Sequence, residues 1–326
     1  MNNIISKIKK PIESDVLVFN TIMKDNLKSD VGIINSIVNY LIKTKGKQYR
    51  AILSLLCSRL DGKEPNDSTY LSAITVEVLH VATLLHDDVV DDSDIRRGWP
   101  TINKIWKNKL AILVGDYLFS KALSNTSQFN DLNCINTLSE ISKRLSEGEI
   151  MQIEKAINKD ITEEEYFKMI SDKTASLISA ACYLGYYSND KNEIKCKAVK
   201  KFGEYLGIAY QIKDDVFDIV GNIDNTGKKT NLDLKKNMLT LPFIHCLSKL
   251  DSKEKNIFLM NIKKNSSTSN VGKIKKIVNE LGGLDYSQNK IEEYSTLAKN
   301  ELSKFKESKF KDSLLLAVDF NISREF

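Results

Sequence analysis

Two clusters of aspartates have a spacing that would place carboxylates on one face of a helix. The first consists of Asp87, Asp88, Asp91 and Asp92, and the second of Asp214, Asp215 and Asp218. Asp87 with Asp91, and Asp214 with Asp218, are related as i and i+4, one helical turn apart. Carboxylates beside an apolar helix are costly unless cations compensate them, and hard divalent ions such as Mg2+ prefer carboxylate oxygen. One such cluster is typical of a solvated helix end, whereas two favour a pair of metal-binding helices facing one cavity.

Basic residues near these clusters would suit a diphosphate ligand. Arg guanidinium groups bind phosphate oxygens in bidentate fashion, and Mg2+ held by Asp can bridge phosphate and protein. Each basic residue alone is more typical of a solvated surface, so the association with the aspartates carries the hypothesis. The basic candidates are Lys47 and Arg50, Arg96 and Arg97, Lys173 with the adjacent Thr174, and Lys228 with Lys229.

Long helices are expected to position these residues. The chain has 4 Pro and 14 Gly among 326 residues, too few for the turns of a sandwich or small barrel. Thr162 with Glu165 forms a capping-box signal for a helix start. The run 67–92 is apolar nearly all round until its acidic end, which predicts a central helix. The polar segments 92–101 and 222–237 are predicted to be loops, the longer one a functional loop or lid.

Composition argues against several other classes of protein. The net charge is +5, from 48 Lys and Arg against 43 Asp and Glu, which is weak for a nucleic-acid-binding protein. The five cysteines are odd in number and lack CxxC spacing, so free thiols in a reducing compartment are expected. We identify no secretory signal and no apolar run of roughly 18 residues, so a cytoplasmic protein is expected.

The segments 84–101 (LLHDDVVDDSDIRRGWPT) and 211–218 (QIKDDVFD) closely resemble the two aspartate-rich motifs of trans-type polyprenyl diphosphate synthases. The resemblance is strongest to the long-chain bacterial enzymes of the octaprenyl and solanesyl kind, and it runs from about Lys45 to Pro242. It implies an all-α isoprenoid synthase fold, a helical bundle around a deep central cavity. It also implies that residues 1–326 form a single polyprenyl synthetase domain, that the protein is a homodimer, and that three Mg2+ ions bind per site.

The same resemblance implies roles for individual residues. Metal binding is expected at Asp87, Asp91, Asp214 and Asp218. Catalytic roles are expected for Asp87, Asp88, Asp91, Asp214, Asp215 and Lys173. The diphosphate of isopentenyl diphosphate is expected at Lys47, Arg50, His80 and Arg97, and the allylic diphosphate at Arg96, Lys173, Thr174, Gln211 and Lys228. For His80 the sequence alone favours a core histidine, and the resemblance reverses that preference.

The reaction implied is a Mg2+-dependent head-to-tail condensation of isopentenyl diphosphate onto geranyl or farnesyl diphosphate. Cationic groups stabilise the departing diphosphate, an allylic carbocation forms, and the double bond of isopentenyl diphosphate attacks it before a proton is lost. Water must be excluded, which gives the 222–237 segment a closing role. The product is expected to supply a quinone side chain, with at most peripheral membrane contact for its release.

Product length is predicted from Ala82 and Thr83, which precede Asp87 by about one helical turn. Both residues are small, whereas short-chain members of the family usually carry an aromatic ring there, so the product is expected to grow past this layer. The chain also departs from the usual family pattern at four positions. They lie at Lys45, Gln48, Asn231 and Met238.

Three other functions fit parts of the sequence. A short-chain synthase, making farnesyl or geranylgeranyl diphosphate, would differ in product length. A terpene cyclase would carry an Asn/Ser/Glu metal triad where this chain has DDVFD at 214–218. A non-catalytic subunit of a heteromeric synthase typically loses one aspartate motif, whereas this chain retains both.

Overall fold

The structure is a computed structural model in which residues 2–158, 160–220, 238–264 and 271–324 are described. The helices in these residues are α1 (Asn2–Lys9), α2 (Glu13–Asn26), α3 (Gly32–Lys43), α4 (Tyr49–Ser58), α5 (Asp67–Val90), α6 (Ile102–Ser127), α7 (Leu132–Asn158), α8 (Glu163–Ile170), α9 (Ser176–Tyr187), α10 (Glu193–Val220), α11 (Leu241–Lys249), α12 (Ser252–Lys264), α13 (Val271–Glu280), α14 (Gly283–Leu302) and α15 (Lys309–Ser323). A 3-10 turn spans Lys10–Ile12, and a π-helical turn spans Ser171–Ala175.

Two strands of two residues each, β1 (Ile95–Arg96) and β2 (Trp99–Pro100), are the β-structure found in the described residues. The predicted all-α class is therefore confirmed. The predicted 222–237 loop lies outside the described residues.

The residues cluster into two compact units, each assembled from three segments of chain. Unit 1 comprises Met1–Glu140, Leu177–Lys201 and Leu302–Ala317, and unit 2 comprises Ile141–Ser176, Phe202–Glu301 and Val318–Phe326. The first aspartate cluster belongs to unit 1 and the second to unit 2.

Helix α5 is the central helix of unit 1, as its apolar sequence predicted. Every residue from Ser72 to Leu79 is buried, and α5 packs against α4 and α6. The start of α5 is fixed by a capping box in which the Asn66 side chain accepts from the Thr69 N–H at 2.9 Å and Thr69 Oγ1 accepts from the Asn66 N–H at 3.2 Å. Although α5 is long and apolar enough to cross a membrane, 61% of its most apolar window is buried inside the protein.

The predicted 92–101 loop is a tight β-hairpin. Ile95 pairs with Pro100 and Arg96 with Trp99, so Arg97-Gly98 forms a two-residue turn. Both turn residues have positive φ, 55° and 80°, which matches the type I′ geometry that fits the twist of the two strands. The glycine satisfies this geometry without strain, whereas Arg97 adopts a backbone conformation that is uncommon for its type.

Unit 2 has its own apolar core around α8, α10 and α11. Fully buried members include Tyr166, Ile212, Phe243 and Ile291. The predicted capping box at the start of α8 is confirmed: Thr162 Oγ1 accepts from the Glu165 N–H at 3.2 Å. The five cysteines, in both units, are buried free thiols, as expected from their number and spacing.

Candidate active site

A cavity of about 660 Å³ lies in unit 1 beside the first aspartate cluster. Four residues predicted from sequence line this cavity: His80, Asp88, Arg96 and Arg97. One stripe of α5 also forms part of the cavity wall. The stripe of α5 consists of Glu77, Val78, His80, Val81, Leu84, Leu85 and Asp88. The cavity thus combines an apolar wall with cationic side chains, which is the composition needed by a ligand with a hydrocarbon part and an anionic part.

The end of α5 turns the chain from the aspartate cluster into the hairpin. The Ser93 N–H donates to the Asp88 carbonyl at 2.9 Å and the Asp92 N–H to the Val89 carbonyl, while Asp92 takes a left-handed φ of 48°. This is a Schellman ending, with Asp in the position where Gly is usual. The hairpin that follows places Arg96 against the same helix.

Asp88 differs from its neighbours in the first cluster. It is buried, at 3% exposure, and its Oδ1 accepts from Nε and Nη2 of Arg96, both at 2.8 Å. Asp87 is half-buried and Asp91 is exposed at the C-cap of α5. The pair Asp87 and Asp91 therefore faces outward at the helix end, while Asp88 fixes the hairpin arginine.

The second cluster, on α10 in unit 2, is divided in the same way. Asp215 is buried and accepts from Tyr166 Oη at 2.6 Å and from Gln211 Nε2 at 2.7 Å. Asp214 and Asp218 are half-buried, one turn apart on the helix. In each DDxxD motif, the middle aspartate is thus held inside the protein, and the i, i+4 pair is the more accessible one.

Asp214 also contacts the end of the described chain. Its Oδ1 accepts from Nη2 of Arg324, whose guanidinium lies 4.5 Å from the ring centre of Tyr210 and 4.9 Å from that of Phe217. Arg324 is buried, and Lys213 Nζ donates to the Ile322 carbonyl at 3.1 Å. The last turn of α15 and Arg324 are therefore tied to the helix that carries the second cluster.

The segment before α4 meets the hairpin at the cavity. Lys45 and Gly46 line the cavity; Lys47 is exposed and Arg50 is half-buried. A Cβ on Gly46 would lie 2.6 Å from Nη2 of Arg97 and closer still to Cζ. The absence of a side chain on Gly46 therefore lets the Arg97 guanidinium lie against this segment. This contact brings together two parts of the predicted isopentenyl diphosphate site.

The ionisation of His80 reflects this cationic surrounding. Burial, and then Arg50, Arg97 and Arg96, hold the pKa of His80 well below its ordinary value of 6.5. His80 is consequently neutral near pH 7, able to donate one N–H and accept at the other nitrogen. His80 also lines the cavity, and its role in binding a diphosphate stays a prediction.

Four of the residues predicted for the allylic diphosphate or for catalysis meet in unit 2 at a π-helical turn. Thr174 Oγ1 donates to Gln211 Oε1 at 2.7 Å, and Gln211 in turn donates to Asp215. Lys173 Nζ contacts Glu149 Oε1 at 2.8 Å and donates to Gln152 Oε1 at 2.9 Å. The π-turn widens the helix at the two predicted residues, a distortion frequently found at functional sites.

Side chains of this turn are held from α7. Arg144 donates to Asp172 Oδ1 at 2.6 Å, to Ser171 Oγ at 2.8 Å and to Glu204 Oε1 at 3.0 Å. A Cβ on Gly148 would lie 2.8 Å from the Lys173 nitrogen, so glycine permits this close approach of α7. Sequence reasoning missed Arg144, Glu149 and Gln152, because a single residue on an amphipathic helix gives no motif.

The remaining predicted residues occupy separate positions. Ala82 is 1% exposed and Thr83 is half-buried, with its hydroxyl donating to the His80 carbonyl at 2.9 Å. Neither lies among the residues that line the unit 1 cavity, so their effect on product length stays a prediction. Lys228 and Asn231 lie outside the described residues, and Met238 is half-buried.

The donor set suits a hard divalent cation. Each helix presents two carboxylates one turn apart, and carboxylate oxygens are the ligands that Mg2+ prefers while it retains water or substrate phosphate. Among the described residues, no group of three or more His, Cys, Asp and Glu side chains is arranged as a complete metal site. Each pair taken separately, Asp87 with Asp91 and Asp214 with Asp218, would fit a metal whose coordination is completed by a phosphate-bearing ligand.

Known proteins are similar to this chain in sequence and in fold. The polyprenyl synthetase family model matches residues 31–281. The octaprenyl diphosphate synthase of Haemophilus influenzae is 30% identical over 322 residues, covering 99% of this chain and 98% of that protein. A short chain isoprenyl diphosphate synthase of Methanothermobacter thermautotrophicus is 31% identical over 290 residues, covering 88% of this chain and 89% of that protein. A polyprenyl synthase of Caulobacter crescentus, solved in complex with calcium and isoprenyl diphosphate, matches with a TM-score of 0.89 at 30% identity over 98% of each chain.

This chain therefore belongs to the polyprenyl synthetase family. It is a prenyltransferase with the isoprenoid synthase fold, which confirms the family, the enzyme class and the fold indicated by its aspartate motifs.

Proposed function

We propose that the protein is a long-chain all-trans polyprenyl diphosphate synthase that condenses isopentenyl diphosphate onto an allylic diphosphate. The observation that carries the proposal is the unit 1 cavity, where His80, Arg96 and Arg97 line the same space as an apolar stripe of α5 and the first aspartate cluster lies at the helix end. A prenyl diphosphate has both an anionic head and a hydrocarbon chain, and this lining is complementary to both parts.

Isopentenyl diphosphate would be held by Lys47, Arg50, His80 and Arg97. Guanidinium forks give phosphate oxygens bidentate, charge-assisted hydrogen bonds, and a neutral imidazole adds a donor without adding charge. The proximity of Gly46 to Arg97, and the influence of Arg50 and Arg97 on the pKa of His80, support one shared diphosphate site for these residues.

The allylic diphosphate would be held by Arg96, Lys173, Thr174, Gln211 and Lys228, with Mg2+ held by Asp87, Asp91, Asp214 and Asp218. We propose three Mg2+ ions per site; when bound they would neutralise charge on the departing diphosphate. In this arrangement the buried Asp88 and Asp215 keep the arginine of the hairpin and the glutamine of α10 in position. The relative from Caulobacter crescentus that was solved with calcium and isoprenyl diphosphate supports a divalent cation at such a site.

Product length is proposed from Ala82 and Thr83, as expected from sequence. Neither residue carries the aromatic ring usual at this position in short-chain members, which favours a longer product. Similarity to the octaprenyl diphosphate synthase supports a long product, and similarity to the short chain isoprenyl diphosphate synthase gives the alternative. A farnesyl or geranylgeranyl diphosphate synthase is therefore the second candidate.

We further propose a cytoplasmic homodimer in which residues 1–326 act as one catalytic domain. Large apolar side chains are exposed on α6, at 42 to 52% exposure, and a second copy of the chain would cover them. They are Ile105, Ile112, Leu113 and Leu123. Light scattering of the purified protein tests the dimer, and a monomer at micromolar concentration would contradict it.

A product assay tests the enzyme proposal. Purified protein is incubated with Mg2+, farnesyl diphosphate and labelled isopentenyl diphosphate, and the dephosphorylated products are separated by reversed-phase chromatography. We expect long all-trans products from this protein alone. No incorporation of label would contradict catalysis and favour a non-catalytic subunit, whereas a fifteen- or twenty-carbon end point would establish the short-chain alternative.

A further inference from the structure

The hairpin that carries Arg96 and Arg97 is held at its base and on its first strand. Arg96 donates from both Nε and Nη2 to the buried Asp88 carboxylate on α5, at 2.8 Å in each case. At the base, Thr101 Oγ1 donates to the Ser93 carbonyl at 2.6 Å, which joins the two ends of the hairpin. Arg96 therefore has an anchor of its own on α5.

The second strand of the hairpin, β2, is held from helix α3. Tyr40 Oη on α3 donates to the Pro100 carbonyl at 2.7 Å. Lys43, at the end of α3, places its Nζ 5.9 Å from the ring centre of Trp99, which is within the range of a cation–π contact. The Tyr40 ring also packs edge-on against Trp106, with ring centres 5.4 Å apart. Helix α3 thus contacts both residues of β2.

Helix α3 also leads directly into the segment against which Arg97 lies. The helix ends at Lys43, and residues 44–48 connect it to α4. Gly46 is part of this connection, and the Arg97 guanidinium lies against it. The position of Arg97 relative to Gly46 therefore depends on how β2 is held on α3.

The conformation of Arg97 requires support from its surroundings. Its φ of 55° lies in the left-handed region, which a residue other than glycine keeps only where neighbouring contacts determine it. The contact between Tyr40 and Pro100 lies close to this turn in the chain, and both residues line the same cavity as Arg97 and Gly46. Tyr40 is half-buried, and sequence reasoning assigned it no role.

We propose that Tyr40 is a positioning residue of the isopentenyl diphosphate site: by holding the Pro100 carbonyl it fixes the second strand of the hairpin and so places Arg97 for the ligand. The inference rests on the proposed function of this cavity and adds a residue to it. Because Arg96 is anchored separately on α5, loss of the Tyr40 hydrogen bond should displace Arg97 more than Arg96. Isopentenyl diphosphate, assigned to Arg97, should therefore be affected more than the allylic diphosphate, assigned to Arg96.

The test compares Tyr40→Phe, Tyr40→Ala and the wild-type protein. Phenylalanine keeps the ring against Trp106 and removes only the hydroxyl, whereas alanine removes both. Binding of isopentenyl diphosphate is measured by calorimetry, KM is measured for both substrates, and Tm is measured for each protein. Tyr117→Phe is the matched control, since Tyr117 Oη also donates to a backbone carbonyl, that of Lys28 at 3.4 Å, and Tyr117 is outside the cavity lining.

Tryptophan fluorescence reports on the hairpin independently of the ligand. The chain has two tryptophans, Trp99 on β2 and Trp106 on α6, and both contact α3. Quenching by acrylamide should increase in Tyr40→Phe, because Trp99 becomes more accessible when its strand is no longer held, and it should be unchanged in Tyr117→Phe. Equal quenching in Tyr40→Phe and the wild-type protein would overturn the inference.

For Tyr40→Phe we expect Kd and KM for isopentenyl diphosphate to rise about fivefold, in the range that loss of one neutral hydrogen bond produces. The kcat at saturation and KM for the allylic diphosphate should stay within about twofold of wild type. Tyr40→Ala should show a larger rise with the same preference, and Tyr117→Phe should match wild type. An unchanged Kd for isopentenyl diphosphate in Tyr40→Phe would overturn the inference. So would an equal rise in both KM values together with a lower Tm, which a general structural role would produce. If the wild-type protein binds no isopentenyl diphosphate, the proposed function of the cavity fails instead, and quenching still decides whether Tyr40 holds the hairpin.

Discussion

Substitution of Gly46 by alanine should weaken isopentenyl diphosphate binding by displacing a neighbouring side chain. The backbone of Gly46 is not in the left-handed region, so alanine fits its conformation. The added Cβ would lie 2.6 Å from Nη2 of Arg97, and closer to Cζ and Nη1, distances that real Cβ atoms do not tolerate. Because the clash is with the far end of a flexible side chain, the guanidinium moves away and the backbone stays.

The size of the effect follows from what the displaced guanidinium would bind. A hydrogen bond to a charged group contributes about 1.5–3 kcal/mol. Since about 1.4 kcal/mol corresponds to a factor of ten, loss of the Arg97 contact should raise KM for isopentenyl diphosphate roughly tenfold to a hundredfold. The free energy of unfolding should change by less than about 1 kcal/mol, as is usual for a substitution that strains one exposed side chain.

Steady-state kinetics with both substrates, together with urea unfolding, measure these quantities. Gly32→Ala is the matched control, because a Cβ on Gly32 at the start of α3 meets nothing within 4 Å. In a double-mutant cycle, Gly46→Ala should add little once Arg97 is already alanine. A Gly46→Ala enzyme with unchanged KM, or one whose defect adds fully to that of Arg97→Ala, would refute the reasoning.

Three further outcomes are expected. Arg144→Ala should lower the free energy of unfolding by about 3 kcal/mol, because it removes the arginine that pairs with the buried Asp172 carboxylate. Urea titration measures this loss, and a value below about 1 kcal/mol would show that the network contributes little. Ala82→Phe should shorten the product as read by chromatography, and unchanged length would argue against the predicted chain-length role. Burial lowers the pKa of His80 in the folded protein. Between that pKa and about 6.5, the unfolded chain therefore binds more protons than the folded one. The free energy of unfolding rises with pH over this window and falls as pH is lowered through it. A His80→Asn variant should therefore lose less Tm than wild type between pH 7 and pH 5, and parallel curves would contradict the assignment.

The sequence predicted α5 and its acidic end because strong local signals coincide there. The run 67–92 is apolar nearly all round until its acidic end, which carries the i, i+4 aspartates. The different positions of Asp87 and Asp88 could not be predicted, since adjacent identical residues differ only in the direction in which the folded helix points them. Burial of Asp88 depends on Arg96, which the hairpin returns to α5.

The 92–101 hairpin shows a second limit of local reasoning. Its Arg-Gly turn and short strands contain one glycine and one proline, which are as typical of an irregular loop as of a hairpin. The pairing of Arg96 with Trp99 requires an arginine at positive φ, a conformation that local preference disfavours. Contacts with the rest of the unit, such as the hydrogen bond from Tyr40 Oη to the Pro100 carbonyl at 2.7 Å, stabilise it.

By itself, the sequence determined the all-helical class, the family and the two aspartate motifs, because periodicity and motif spacing are properties of neighbouring residues along the chain. Tertiary structure decided which members of those motifs are accessible and which other residues support them. Lys173, in the π-helical turn, is held by Glu149 and Gln152 from a different helix. Such partners are far apart in sequence and carry no shared pattern, so packing alone reveals that they act together.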